Sequence, residues 1–368
     1  MTQAATATAA DHAFMADALR LAERGLYTTD PNPRVGCVIV AQGSVVGTGW
    51  HARAGEAHAE VRALHAAGDL ASGATAYVTL EPCCHHGRTP PCSDALIDAG
   101  ISRVVVASLD THGKVAGKGI AQLMAAGVEV VTGPLEAAAR DLNIGFFTRH
   151  ETGRPFVRVK LAASLDGRTA LADGTSQWIS GESSRADVQR WRARSSAILT
   201  GIGTVLADDP SLNVRLPKLD GAHQPARVIV DSQLRLPSDA RTLALPGDVR
   251  VFHVDSATNV DALASAGVSV ECLPEDAGRV SLTALLERLA ELEMNEVLVE
   301  AGSELNGALL RRQLVDEIIV FLAPHVLGDA ARGMFALPEL TAMDDRPQLE
   351  LLEVRQFGAD LRLRYRPV

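Results

Sequence analysis

Four residues in the first quarter of the chain have the types and spacing of a catalytic zinc site. One residue separates His58 from Glu60, and Cys83 and Cys92 each follow a proline. One imidazole and two thiolates are three ligands, which leaves the fourth tetrahedral position of Zn²⁺ open for water. Zinc lowers the pKa of that water toward about 7, and Glu60 is placed to move protons rather than to bind the metal. The pattern predicts a zinc deaminase.

The spacing of the two cysteines departs from the usual deaminase motif. Zinc deaminases commonly separate their cysteines by two residues, whereas Cys83 and Cys92 enclose the longer segment CHHGRTPP. This segment resembles the deaminase half of the bifunctional riboflavin-biosynthesis deaminase/reductase family. The resemblance implies hydrolytic deamination of a diaminopyrimidinone that carries a ribosylamino 5′-phosphate. A structural zinc knuckle or buried cysteines would account for the thiols but not for the His-x-Glu pair.

Only one of the adjacent residues Cys83 and Cys84 is expected to face the metal, because neighbours on an extended stretch point opposite ways. We expect Cys83 to be the ligand. It directly follows the Glu-Pro of the motif, and the family resemblance assigns the ligand role to that position. His85 and His86 are either substrate contacts or solvated loop residues.

Composition favours a two-domain protein of the reducing cytoplasm. The 368 residues, 47% of them hydrophobic, suffice for two cores. The first ten residues lack the features of a secretion signal, and no apolar stretch is long enough to span a bilayer. Five cysteines, three of them in one motif, favour a metal site over disulfides. Cys37 and Cys272 lie in apolar runs and are predicted to be core thiols.

The formal net charge of −10 argues against a polyanionic partner. A nucleic-acid or nucleoside base deaminase with an unrelated C-terminal domain remains an alternative, since it would share the motif core. A non-catalytic scaffold is a second alternative, although all four chemical groups are present. We expect a small-molecule substrate, no nucleic-acid or membrane partner, and a homo-oligomer.

The first half of the chain alternates helical and strand patterns. Helical periodicity covers residues 14–22, 57–67, 93–99 and 118–126. Apolar runs predict buried strands at 35–40, 76–80, 104–107 and 128–131. The alternation predicts an α/β/α sandwich of the cytidine-deaminase type, with the ligand cysteine at a strand end.

A domain boundary is predicted at residues 149–154, where a helix breaks and a new apolar strand begins. We therefore expect a zinc-dependent pyrimidine deaminase domain at 1–152 and a second α/β domain at 153–368. Its predicted strands cover 156–161, 227–231, 249–252 and 296–300. A closing hairpin is predicted from 351–354 and 361–365 around the turn Gly358-Ala359-Asp360.

Five short motifs follow one another in the second half: KLAASLDGR, SQWI, LTGIGTVLADDP, VDS and VEAGSEL. This series resembles the reductase domain of the same family, which implies a dihydrofolate-reductase-like fold, NADPH, and reduction of the ribosyl side chain to ribityl. Glycine-rich turns at 201–204 and 301–303 each follow an apolar strand and could hold phosphates through backbone amides. No Gly-x-Gly-x-x-Gly precedes a helix in this half, so a Rossmann domain is not inferred.

The resemblance also assigns residues to the two reductase sites. The cofactor site would be lined by Ala162, Trp178, Thr204, Asp208, Ser232, Gly302, Ser303, Glu304, Leu305, Asn306, Gly307 and Ala308. The substrate site would be lined by Ser176, Arg192, Leu212, Arg215 and Glu300. The two arginines suit a phosphate because a guanidinium binds it bidentately, although a solvated helix face or loop would explain them too. Trp178 is alternatively a plain core residue.

In the deaminase site, Asn32 lies between two prolines and is predicted to read the edge of the pyrimidine. Its amide can both donate and accept a hydrogen bond. The alternative is a turn-forming role, which asparagine often takes beside proline.

Overall fold

The computed structural model describes residues 6–84, 90–111, 113, 115–215, 222–255, 260–265 and 267–368. The chain divides into two compact units, Met1–Thr152 and Gly153–Val368. The histidines of the cysteine segment, His85 and His86, lie outside the described residues. Within the described ranges, no helix has the length and apolar character needed to cross a membrane.

In the described part of the first unit, strands and helices alternate along the chain. The helices are α1 (Ala9–Ala22), α2 (Ala59–Ala67), α3 (Cys92–Asp98), α4 (Lys118–Ala125), α5 (Glu136–Leu142) and α6 (Ile144–Thr152). The strands are β1 (Gly36–Ala41), β2 (Ser44–Trp50), β3 (Thr75–Leu80), β4 (Arg103–Ser108) and β5 (Glu129–Thr132). They form one sheet in the order β2-β1-β3-β4-β5. β1 is antiparallel to both neighbours, and β3, β4 and β5 are parallel.

Helices cover both faces of this sheet. Met15, Ala18 and Leu19 of α1 pack against one face. Side chains of α2, α3 and α4 pack against the other, together with Cys37, which is buried as predicted. The α/β/α sandwich predicted from the sequence is therefore confirmed.

The edge strand β2 was not predicted, and its glycines explain both the omission and the structure. A Cβ at Gly47 would lie 2.3 Å from the carbonyl oxygen of Ala63, and one at Gly49 would lie 2.2 Å from that of Ala59. Glycine lowers strand propensity, but here it lets the backbone of α2 lie directly on β2. The start of α2, which carries Glu60, is thereby seated on the sheet.

In the described part of the second unit, a larger mixed sheet dominates. The strands are β6 (Phe156–Ser164), β7 (Arg168–Ala170), β8 (Ala197–Gly201), β9 (Ala226–Val230), β10 (Val249–His253), β11 (Ser269–Cys272), β12 (Glu275–Asp276), β13 (Arg279–Val280), β14 (Glu296–Val299), β15 (Glu317–Ala323), β16 (Arg332–Gly333), β17 (Leu349–Phe357) and β18 (Asp360–Pro367). The helices are α7 (Glu182–Arg194), α8 (Ile202–Asp208), α9 (Val260–Ser265), α10 (Leu282–Glu291) and α11 (Ser303–Arg311).

The main sheet has the order β11-β10-β9-β8-β14-β6-β15-β18-β17. In this spatial order, all strands from β11 at one edge as far as β15 are parallel. The hairpin β17–β18 adds antiparallel strands at the other edge. Because parallel strands bring their carboxyl ends to one edge of the sheet, the loops after β6, β8, β9 and β14 form one ligand-binding edge. The fold class expected for this half is confirmed.

One sequence prediction about the core is wrong. Cys272 is exposed rather than buried. It ends β11, which is the outermost strand of the main sheet, so an apolar run here does not indicate a covered strand.

A buried ion cluster lies within the main sheet of the second unit. Arg158 on β6 is 2% exposed. Its Nε donates to Glu317 on β15 over 3.0 Å, and its Nη1 donates to Glu296 on β14. Both carboxylates are also buried. Burying a charge is costly unless it is paired, so this cluster requires β6 to lie between β14 and β15.

Candidate active sites

The metal-ligand residues predicted from the sequence converge at one point of the first unit. His58 is the residue immediately before α2, and Cys92 begins α3. Two residues separate Cys83 from the end of β3. The potential ligand atoms of these three residues all lie within 4.8 Å of one another. The Nδ1 atom of His58 is 3.2 Å from Sγ of Cys92 and 3.6 Å from Sγ of Cys83.

These separations fit a tetrahedral zinc ion. With Zn–S bonds of about 2.3 Å and Zn–N bonds of about 2.0 Å, ligand atoms at tetrahedral angles are roughly 3.5 Å apart. The donor set of one imidazole and two thiols is also one that zinc prefers. The residues present therefore fit Zn²⁺ with one coordination position left for another ligand.

The two sulfurs share a hydrogen bond that prepares one of them as a thiolate. A hydrogen bond from Cys92 lowers the pKa of Cys83. The pKa of Cys92 is raised correspondingly, since it donates that bond and is buried. The thiolate is the form that binds metal. Of the described cysteines in this segment, Cys84 is not part of the converging group, and burial raises its pKa.

Glu60 is buried in the first turn of α2, beside the converging group. Burial raises its pKa to about 7, and the neighbouring Cys83 adds to the effect. Glu60 is not one of the three residues whose ligand atoms converge among the described residues. Its position next to the metal-ligand residues suits a group that exchanges protons.

His51 is a site residue that the sequence analysis missed. It is buried, and its Nε2 lies 3.1 Å from the amide nitrogen of Asn32. The other ring nitrogen lies 3.4 Å from the carbonyl oxygen of Ala57, which accepts a hydrogen bond if Nδ1 carries the proton. Burial lowers the pKa of His51, which favours this neutral form. The His51 ring stands edge-on to that of His58, with centroids 5.3 Å apart.

This arrangement orients the amide of Asn32. Because His51 accepts from the amide nitrogen through Nε2, the amide oxygen of Asn32 is directed away from His51. A single histidine after a glycine-containing strand gives no recognisable signal in the sequence, so only the three-dimensional contact identifies it.

Glu81, which precedes Pro82 and Cys83 in the motif, accepts four hydrogen bonds from the backbone. Its Oε2 accepts from the backbone N–H groups of Asp110 and Gly117 over 3.2 and 2.9 Å. Its Oε1 accepts from those of Gly119 and Ile120 over 3.0 and 3.3 Å. These four bonds tie the segment after β4 and the start of α4 to the end of β3. Glu81 therefore holds in place the chain that carries Cys83.

The second unit contains a cavity of about 1760 Å³ at the carboxyl-terminal edge of its main sheet. Every residue assigned to the reductase substrate site lines it, and so do ten of the twelve assigned to the cofactor site. The two that do not are Asn306, which is buried and donates to the carbonyl oxygen of Ala301, and Gly307, whose Cβ position would be 2.1 Å from the carbonyl oxygen of Ala336. Both lie on the face of α11 that packs into the protein.

The cavity wall at α11 fits a phosphate-bearing cofactor. Gly302 precedes the helix, and no side chain caps its first turn. A Cβ added to Gly302 or Gly203 would meet no described protein atom within 4 Å, so both backbones are open to the cavity. A helix N-terminus with free amides attracts phosphate. The residues present therefore fit NADPH.

A buried ion cluster occupies another part of the cavity wall. Arg192 donates from Nε and Nη2 to the two oxygens of Glu300, over 2.6 and 2.9 Å. The Nζ atom of Lys160 is 3.9 Å from Glu300. Burial by itself would raise the pKa of Glu300, because it favours the neutral acid. The positive charges of Arg192 and Lys160 outweigh this effect and lower the pKa of Glu300 to about 2. Burial lowers the pKa of Lys160.

Trp178 is a surface residue of the cavity rather than part of a core. It is 70% exposed, and the guanidinium of Arg185 stacks over its ring at 4.6 Å from the centroid. Arg185 also donates to the carbonyl oxygen of Ser180, which closes the turn before α7. The core alternative for Trp178 is therefore wrong.

Comparison with known families divides the chain at the same place as the fold. Residues 8–108 match the family described as the cytidine and deoxycytidylate deaminase zinc-binding region. Residues 155–363 match the family described as the RibD C-terminal domain.

Curated relatives match along almost the whole chain. The riboflavin biosynthesis protein RibD of Escherichia coli is 49% identical over 362 residues, which cover 95% of this chain and 98% of the relative. The protein of the same name from Bacillus amyloliquefaciens is 42% identical over 354 residues, with 95% and 94% covered.

Solved structures agree over the same length. RibD of Acinetobacter baumannii superimposes with a TM-score of 0.92 at 46% identity, covering 98% of this chain and 99% of that one. A Thermotoga maritima protein superimposes with a TM-score of 0.85 at 33% identity and the same coverage. It is described as a diaminohydroxyphosphoribosylaminopyrimidine deaminase and 5-amino-6-(5-phosphoribosylamino)uracil reductase.

Proposed function

Because this chain belongs to the RibD family of bifunctional riboflavin-biosynthesis enzymes, we propose that each compact unit carries one of the family's two reactions. Residues 1–152 carry the deamination and residues 153–368 the reduction. The enzyme is a deaminase and an NADP-dependent reductase, and its cofactors are Zn²⁺ and NADPH. An unrelated C-terminal domain is excluded by the match of residues 155–363.

The observation that carries the residue assignment is the convergence of His58, Cys83 and Cys92, with the buried Glu60 beside them. These groups come from three separate segments of the chain. Three ligands with a fourth position open distinguish a catalytic zinc site from a closed structural one.

In the first reaction, water replaces an amino group of the pyrimidine and ammonia leaves. We assign His58, Cys83 and Cys92 as the residues that hold Zn²⁺. A zinc ion held there would supply the Lewis acidity that makes water nucleophilic at neutral pH. Glu60 takes a proton from the attacking water and delivers protons to the ring nitrogen and to the departing ammonia. Its burial supports this role, because a desolvated carboxylate accepts a proton more readily.

Asn32 positions the pyrimidine for this step. Its amide nitrogen is engaged by His51, so its amide oxygen is available to accept a hydrogen bond from an amino group of the substrate. His51 acts as the positioning residue that fixes this orientation. A flipped amide would present a donor where the substrate also has a donor.

In the second reaction, the ribosyl group of 5-amino-6-(5-phosphoribosylamino)uracil is reduced to ribityl. NADPH held in the cavity would supply the hydride for this reduction. Ala162, Trp178, Thr204 and Ser232 line the cavity, to which α11 also presents its N-terminus, and we assign this wall to the cofactor. We assign Glu300, which Arg192 holds, to the substrate.

The two activities are expected to separate when the units are produced individually as residues 1–152 and 153–368. The first should deaminate without NADPH, and the second should reduce only the deaminated compound. A site that hydrogen-bonds the carbonyl left by deamination has unpaired polar groups against the amino precursor, which lowers kcat/KM by roughly 10⁴-fold. Product masses and NADPH oxidation measure both reactions.

Each unit has a hydrophobic core of its own, so circular dichroism and NADPH binding should first establish that the separate units are folded. The order of the reactions is contradicted if the folded C-terminal unit reduces the undeaminated precursor as fast as the deaminated one.

We further assign the enzyme to the cytoplasm, because none of its five cysteines forms a disulfide in the structure, which suits a reducing compartment.

We also expect the enzyme to form a homodimer through the edge strand β17. Among the described strands, β17 is hydrogen-bonded only to β18. It exposes the apolar side chains of Leu349, Leu351 and Val354. An exposed apolar edge strand is an unstable surface unless it is covered, and a second copy can cover it across a two-fold axis.

Light scattering after size-exclusion chromatography should give twice the chain mass for the wild type. Leu351→Glu and Val354→Glu should give the mass of one chain, because a charge on this strand opposes its burial. Leu351 is 52% exposed, and Leu70 of the first unit, at 60%, is the matched control. Leu70→Glu should remain dimeric. A wild type that runs as a monomer, or a dimer that survives both strand substitutions, contradicts this interface.

A further inference from the structure

Trp178 stands in the cavity wall with most of its side chain in the open. It lies on the segment between β7 and α7, lines the cavity and is 70% exposed. A side chain without a surrounding core exchanges between rotamers on a fast timescale. The indole can therefore form a defined wall of the cofactor site only if another group fixes the orientation of its ring.

Arg185 supplies that contact. Its guanidinium lies over the indole, with its central carbon 4.6 Å from the ring centroid. A planar guanidinium stacks on an aromatic face and is attracted by the negative charge of that face. The stack covers one face of the ring, so the opposite face remains for a ligand in the cavity.

Arg185 is itself fixed to the main sheet. Its Nη1 donates to the carbonyl oxygen of Ser180 over 2.5 Å. Asp360, which is buried at the start of β18, accepts from the backbone N–H of Gly181 over 2.7 Å and from the hydroxyl of Ser184 over 2.6 Å. These bonds anchor the beginning of α7. Arg185 therefore joins a ring on a connecting segment to a helix that is tied to the sheet.

We propose that Arg185 is a positioning residue of the reductase, which holds the indole of Trp178 so that its open face stacks on a planar ring of NADPH. No sequence motif pointed to Arg185. The proposal rests on the assignment of this cavity to NADPH. A ring that is already oriented loses less conformational freedom when the cofactor binds, so the contribution of Arg185 appears in cofactor affinity.

The first test measures the Kd of NADPH by titration calorimetry in the full-length wild type and in Arg185→Ala. We expect the Kd to rise about fivefold, which is the size of one exposed cation–π contact. The KM for NADPH should rise with it, while kcat at saturating NADPH should change less than about twofold. Arg185→Lys should recover only part of the loss, because an ammonium keeps the charge but not the planar stack.

A double-mutant cycle shows whether Arg185 acts through the indole. Trp178→Ala should itself weaken NADPH binding. If Arg185 acts only through Trp178, adding Arg185→Ala to this variant should raise the Kd no further. Arg185 also lines the cavity, and a direct contact with the cofactor would instead give the same loss with and without the indole.

Two arginines serve as matched controls. Arg190 lies on the same helix, is half-exposed, pairs with Asp187 at 3.4 Å, and does not line the cavity. Arg24 stacks on Trp50 in the first unit, at 4.8 Å from the ring centroid. Arg190→Ala and Arg24→Ala should both bind NADPH as the wild type does. Circular dichroism should show that all the variants are folded.

The outcomes separate the role of Arg185 from the function of the cavity. An unchanged Kd in Arg185→Ala, a loss confined to kcat, or additive losses in the double mutant would each overturn the positioning role and leave the cofactor assignment standing. A folded wild type that does not bind NADPH would contradict the proposed function itself.

Discussion

Replacing Glu60 by glutamine is expected to stop deamination while zinc remains bound. Glutamine keeps the shape of the side chain but cannot take up and release protons. Positioned acid–base groups contribute roughly 10²- to 10⁴-fold to a rate, and Glu60 serves every proton transfer of this reaction, so we expect a loss at the upper end. Ammonia release from the diaminopyrimidinone measures the rate, and metal analysis of the dialysed protein measures the zinc.

Two controls isolate the chemical role of Glu60. Reduction of the separately prepared deaminated substrate should stay near wild type, because it takes place in the other unit. Glu56→Gln should deaminate normally, since Glu56 is exposed and pairs with Arg62 on the surface. If Glu60→Gln loses zinc together with activity, Glu60 is a ligand or a structural anchor, and the proton-transfer role is wrong.

Removing either sulfur ligand is expected to remove the metal itself. Cys83→Ala and Cys92→Ala should each lose zinc on dialysis and lose deamination with it, because two protein ligands hold zinc far more weakly than three. Cys84→Ala should keep both. The structure supports this distinction, since Cys83 and Cys92 converge with His58 and Cys84 does not join them.

Cys272→Ala is the control for loss of a thiol as such, because Cys272 is exposed at the sheet edge of the other unit. It should retain zinc and both activities. Zinc loss in Cys84→Ala as great as in Cys83→Ala would mean that the wrong member of the adjacent pair was chosen.

The zinc site could be predicted from the sequence because the residue types that bind zinc and transfer protons occur at short, recognisable spacings. His58 and Glu60 lie in one turn, and the cysteines flank one segment. His51 could not be found in this way. Its contact with Asn32 joins residues that are 19 apart, one before β1 and one after β2, and a lone histidine has no pattern that separates it from a surface residue.

The fold could be predicted where apolar periodicity was strong, and it was missed where glycine replaced side chains. β2 has glycines at 47 and 49 because α2 lies against it, and those same glycines weaken the strand signal. Cys272 illustrates the opposite error, in which apolar residues occupy an edge strand. Neither case is decided by the local sequence, because both depend on what packs against the strand.

Helical geometry explains why only part of the run assigned to the cofactor site on α11 lines the cavity. The resemblance assigned a continuous run, Gly302–Ala308, to the cofactor site. A helix turns its residues to different sides, so Asn306 and Gly307 pack inward while the residues on the other face line the cavity. Arg192 lines the cavity as predicted, and its contact with Glu300 is a further feature that the residue type alone did not show.

The buried cluster around Arg158 has a consequence for the order in which the second unit can be completed during synthesis. β6 is the first strand of this unit to leave the ribosome, yet Glu296 and Glu317 follow Arg158 by 138 and 159 residues. Until those carboxylates emerge, β6 cannot enter a dry interior without burying a lone guanidinium. β6 must therefore stay solvated until β14 and β15 have been synthesised. The first unit is fully translated before then and does not depend on these two carboxylates.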